Sequence, residues 1–147
     1  MLWEINIHPA EGQADRAAER VAVSARELGL ADSLQVAAAR GFLLQADGLE
    51  RDDVRRLAAE LLADVVVERA VIGRPGEDGV SRPLSMSGSF AAADDLTVVT
   101  VLFKPGVMDP VAQSAVAAAA DLGIPLQAAA TLRKVWFAGA GDAEVRA

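Results

Sequence analysis

The sequence predicts an α+β fold in which helices cover one face of an antiparallel sheet, built from two related units. Three observations predict it. Strand-like and helix-like segments alternate, a β-α-β pattern occurs twice, and a stretch rich in Gly, Pro and Ser separates the two occurrences. With 147 residues the chain has room for one ordinary domain or two very small ones. It is 52% hydrophobic and 24% charged, the balance of a folding chain rather than a disordered one. Alanine supplies 31 residues and aromatics only 4%, so the core is aliphatic and no platform for stacking nucleic-acid bases is in evidence.

The first unit, residues 1–73, opens with LWEINIHP. Here Leu2, Glu4 and Asn6 alternate with Trp3, Ile5 and Ile7, the period of a half-buried strand. From Asp15 to Leu30, Ala17, Val21, Ala25 and Leu28 draw one apolar helical stripe; Asp15 suits the N-cap and Gly29 a left-handed C-cap. Leu34 to Leu44 is a long strand-like run that Gly41 is able to bend into two. Val54, Leu57, Ala58, Leu61 and Leu62 then mark a second amphipathic helix, and Val65 to Gly73 is a β-branched strand. The order is β-α-β-α-β.

Residues 74–96 read as a linker, since ten of the 24 residues from Gly73 to Leu96 are Gly, Pro or Ser. The second unit, residues 97–147, repeats the opening. VVTVLFKP is a strand ending in Pro, and Asp109 to Ile124 is a helix with the stripe Val111, Ala115, Ala119 and Leu122. Pro110 follows the capping aspartate where its missing N–H costs nothing, and Gly123 closes the helix. Asp15 to Gly29 and Asp109 to Gly123 are both 14 positions, and both helices close on acid-Leu-Gly-aliphatic. Leu126 to Phe137 parallels Leu34 to Leu44. The second unit then stops at β-α-β, so it is expected to be incomplete, with the terminal AEVRA opening a missing helix. A ferredoxin-like arrangement follows, and units this small are expected to hide their second sheet face against each other about a pseudo-two-fold axis.

The net charge is −7, distributed as −5 over residues 1–73, −2 over 74–96 and zero over 97–147. That acidic excess disfavours nucleic acid and anionic membranes as partners. No basic leader precedes an apolar stretch and no run of 18 apolar residues occurs, so the expected compartment is the cytoplasm. The absence of cysteine excludes disulfides, thiolate metal sites and cysteine catalysis. His8, the single histidine, is expected at a surface or edge; without a second His or a cysteine no transition-metal cluster assembles around it, while carboxylate-only Mg²⁺ binding stays open without a dedicated motif. GAGDAE (Gly139 to Glu144) misses the dinucleotide fingerprint because Glu144 replaces its third glycine. Asp52-Asp53 and Asp94-Asp95 read as surface charge. The segment KPGVMDP is the best candidate site: its turn directs backbone N–H groups and Lys104 toward the start of a helix, a place suited to an anion or a partner's carboxylate. Lys104 and Lys134 are the only lysines.

VTVLFKPGVMDPVAQSAVAAAADLG resembles the PurS-like domain of phosphoribosylformylglycinamidine synthase. That family ends a strand in Lys-x-Gly-Val-x-Asp-Pro and closes the next helix on Leu-Gly, matched here by Lys104, Gly106, Val107, Asp109, Pro110, Leu122 and Gly123. Its following strand carries a basic pair, as Arg133-Lys134 does. The match covers about 40 residues; the first unit joins it only through the duplication, with His8 standing in for Lys104. The resemblance implies a tandem PurS-like domain with no catalytic residue and no cofactor of its own. ATP and Mg²⁺ would serve the whole ligase elsewhere. Its partners would be the synthetase region and the glutaminase, with self-association also compatible. Lys104, Pro105, Gly106, Val107, Met108, Asp109, Pro110, Arg133 and Lys134 are the expected partner contacts. A tandem ACT-like module that senses an amino acid is the alternative, since Pro105-Gly106 imitates the turn after the first strand of such domains.

Overall fold

The elements run β1 (Leu2–Pro9), α1 (Arg16–Glu27), β2 (Gln35–Gln45), α2 (Arg51–Leu57, prolonged by a π-helical turn Ala58–Leu62) and β3 (Glu68–Gly73). There follow α3 (Asp78–Ser81), β4 (Thr97–Leu102), α4 (Pro110–Asp121) and β5 (Ala128–Ala138). A computed structural model describes residues 1–29, 35–83 and 96–138. All five strands belong to one sheet of order β3-β1-β2-β5-β4, and every neighbouring pair is antiparallel.

The expectation of one sheet packed on another is corrected: the two halves join edge to edge. β2 and β5 pair along their whole lengths, from Gln35 opposite Ala138 to Gln45 opposite Ala128. Two strands of 11 residues each satisfy their facing backbone groups in this way without any face-to-face contact. Cover for the face opposite α1, α2 and α4 comes instead from the chain between the halves. β3 and β4 lie at opposite edges, and α3, between them in sequence, packs on that face with Val80 wholly buried. The Val80 carbonyl accepts from Asn6 Nδ2 and Lys134 Nζ, both at 2.9 Å, and the Ser81 carbonyl accepts from Trp136 Nε1 at 3.0 Å. The linker reading of 74–96 is therefore corrected over 74–83. Residues 84–95, with Asp94 and Asp95, lie outside the described residues, as do Gly139 to Glu144 and the terminal AEVRA.

On the helix face, Trp3, Ile5 and Ile7 of β1 and Phe42 and Leu44 of β2 pack with Val54, Leu57 and Leu62 from α2 and its extension and with Ala115 and Ala119 of α4. Val54 and Leu57 were legible from the sequence. The expected stripes hold in part: Ala115 and Ala119 of α4 and Ala25 of α1 are buried and Leu122 packs on the core, while Leu28 is 70% and Val111 58% exposed, with Ala18 and Ala112 buried at the helix starts. The capping aspartates account for these last two. Asp15 accepts from Ala18 N–H with one oxygen and from Ala38 N–H of β2 with the other. Asp109 does the same with Ala112 N–H and with the Thr131 N–H and hydroxyl of β5. The third residue after each cap is thereby held against the sheet.

Three further expectations shift. Val65 to Val67 form a turn rather than strand, because the Asp64 carbonyl accepts from both Val67 and Glu68 N–H. β2 is not bent at Gly41. A Cβ there would collide with the Ile5 carbonyl and stand 2.9 Å from Leu132 Cδ1, so the glycine serves the close approach of β1. The register also corrects the equivalence of His8 with Lys104. Ile7 faces Arg40, two residues beyond Ala38, and Val101 faces Arg133, two residues beyond Thr131. Ile7 therefore corresponds to Val101, and the place of His8 is taken by Leu102.

Candidate functional site

Adjacent residues of a strand point to opposite faces, and this divides the candidate residues into two groups. On the face covered by α3, β1 contributes Glu4, Asn6 and His8, all buried, beside Lys134 and Trp136 of β5. Lys134 Nζ is ion-paired with Glu4 Oε1 and also donates to the Val80 carbonyl. The polar side of β1, read from the sequence as the solvent side, is thus interior. His8 is 1% exposed, in a strand flanked on both sides, which corrects the surface placement. Its ring stacks on Trp136 at 5.4 Å, and neither nitrogen has a hydrogen-bond partner among the described residues. Burial is the main cause that lowers its pKa to about 4; Asp15 opposes the shift and Lys134 adds to it. The imidazole is neutral at pH 7.

The expected basic pair is consequently split. Lys134 is 6% exposed and bonded inside the fold, so it is not a surface contact. Arg133 is exposed on the helix face, where it lies directly opposite Arg40. Arg40 donates to both oxygens of Glu68 and to the Leu62 carbonyl. Among the described residues Arg133 has no acidic partner. Two clefts flank this arginine pair. One, of about 730 Å³, lies beside the start of α1; the other, of about 460 Å³, lies beside the start of α4 and is lined by Phe42, Phe103, Val111 and Leu132.

The Lys104–Pro110 turn stands at the rim of the smaller cleft. Gly106 has φ 84°, and Val107 N–H donates to the Lys104 carbonyl across the turn. Lys104, Pro105, Gly106, Val107, Met108 and Pro110 are exposed and Asp109 is half-buried. An anion at the start of α4 is not what the turn provides, because the Asp109 carboxylate already occupies that place. Burial raises the Asp109 carboxyl pKa, but its bonds from Thr131 N–H, Ala112 N–H and the Thr131 hydroxyl together hold it below the usual carboxylate range. What the turn does present is apolar: Leu102, Phe103, Val107, Met108 and Val111 are each 49–68% exposed and close together in sequence around it. β4 beside it is an edge strand of six residues, TVVTVL, without a charge. A neutral, β-branched edge is a ready template for another chain.

Sequence reasoning missed Glu4, Asn6, Arg40 and Val80. A lone lysine inside an apolar strand was the available signal, since such a group needs a buried counter-charge. Among the described residues no group of three or more His, Cys, Asp or Glu side chains is placed to hold a metal ion, and no helix is long and apolar enough to cross a membrane. Asp52 pairs with Arg55, and Asp53 caps α2, both as surface groups. Comparison with family models, curated proteins and solved structures finds no match.

Proposed function

We propose that this chain is a non-catalytic assembly domain, a tandem PurS-like module that holds the glutaminase and the ATP-dependent synthetase of phosphoribosylformylglycinamidine synthase in register. The observation that carries the reading is the exposed apolar surface around Lys104–Pro110 beside β4, the edge strand of the sheet among the described residues. Five large apolar side chains on one turn and its flanks cost solvation unless a partner covers them. Lys104 lends that surface a positive charge in a chain of net charge −7.

The duplicated architecture is supported by the two aspartates, each of which bonds its own helix and the following strand. Support also comes from the seam, where Arg40 and Arg133 occupy matching positions in their units and face each other, as an axis through that pair requires. The first unit carries α2 and β3 against β1, while β4, the counterpart of β1, has no strand on its outer side among the described residues. In this reading a partner element completes it.

The experiment is to mix the purified chain with the synthetase and glutaminase subunits of a three-part enzyme and follow both sedimentation and product. A complex that forms with the wild-type chain and fails with Phe103→Glu or Met108→Glu supports the proposal. Turnover of glutamine, ATP and substrate by the chain alone contradicts it.

A further inference from the structure

The larger cleft opens on the helix face between the first turns of α1 and the β2–β5 seam, with Ile7, Val21, Val101 and Val135 among its apolar lining. Its volume, about 730 Å³, is that of a small-molecule site. Arg16, Arg20, Arg40 and Arg133 all line it.

Two of the three free guanidinium groups are not where stability would put them. Arg16 is the first residue of α1, the end at which the helix dipole disfavours positive charge. Arg133 lies directly opposite Arg40 on adjacent strands, a like-charge pair that weakens a sheet. Arg40 is neutralised by Glu68, but no carboxylate among the described residues pairs with Arg16, Arg20 or Arg133. Asp15 and Glu68 also line the cleft; Glu68 gives its oxygens to Arg40 and the Asp64 N–H, and Asp15 makes no ion pair among the described residues. A chain of net charge −7 thus gathers four arginines against two acidic residues around one apolar-floored cavity.

We propose that this cleft binds a small phosphate ester, with the phosphate held by Arg16, Arg20 and Arg133 and the organic body on the valine floor. Guanidinium forks match phosphate oxygens in geometry, and a dianionic phosphate offsets more of three positive charges than a single carboxylate does. The site shares Arg133 with the smaller cleft beside the Lys104–Pro110 turn, but binding by the free chain does not require the assembly reading.

Titration calorimetry at low ionic strength tests it, with AMP, inorganic phosphate and glutamate as probes. The expected result is micromolar binding of AMP, weaker binding of inorganic phosphate, and glutamate at least tenfold weaker than AMP. Arg133→Gln and Arg20→Gln each weaken AMP at least tenfold. Arg133→Gln does not lower the Tm of the free protein, because it relieves the pair with Arg40; Arg55→Gln, on the exposed face of α2, leaves binding unchanged. No heat from AMP, equal affinity for glutamate, or unchanged AMP affinity in both cleft variants overturns the proposal.

Discussion

Glu4 and Lys134 are each tolerable in the interior only because of the other. Lys134→Met strands a buried carboxylate and is expected to destabilise the fold by about 3–5 kcal/mol in urea denaturation. The double change Glu4→Leu with Lys134→Met removes both charges and is expected to recover most of that loss. His8 predicts a pH dependence of its own. Its folded pKa of about 4 lies below the ordinary 6.5, so the unfolded chain binds a proton first as pH falls, and stability drops between those values. The groups around it are Asp15, Lys134, Trp136 and, as its register partner, Arg69. From pH 7 to pH 5 the expected loss is about 2 kcal/mol. A His8→Leu variant should show a much flatter profile over that window; an unchanged slope would refute the assignment.

Among the elements, the helix starts were the most legible from sequence, because Asp15 and Asp109 carry both the cap and the chain's reversal onto the next strand. Asp109→Ala removes the cap of α4 and leaves Thr131 N–H without its acceptor, so it is expected to cost about 2 kcal/mol, read as a shift in the denaturation midpoint. Asp15→Ala should behave alike, since its bonds to Ala18 and Ala38 repeat the pattern. Gly41→Ala tests the seam of β1 and β2. Its Cβ meets backbone rather than a movable side chain, so a loss of about 1–3 kcal/mol is expected. The pattern of β1 was legible as a strand but not as an interior one. Alternation records which residues share a face, and Glu4, Asn6 and His8 were polar enough to suggest water. Only the tertiary cover supplied by Val80 and Ser81 shows otherwise, and those residues sit in a stretch whose composition is that of a loop. The basic pair misled for a related reason: neighbours in a strand belong to different faces.

At the scale of the molecule, the repeated β-α-β order and the placing of α1, α2 and α4 on one face were legible because they rest on local periodicity, whereas α3 on the other face was not. Edge-to-edge joining was not, because strand order depends on which long strands meet. Among the described residues one edge of the sheet is treated asymmetrically: β1 has β3 beside it, and β4 has no strand on its outer side. The apolar turn stands next to that edge, so docking there would extend the sheet and cover Phe103, Val107 and Met108 at once. Hydrogen exchange measured on the chain with and without the glutaminase and synthetase subunits tests this most directly. The account predicts slowed exchange of the amides of Thr97–Leu102 and of the Lys104–Pro110 turn in the complex, with β3 unchanged. Protection confined to other elements, or no complex at all, would contradict it.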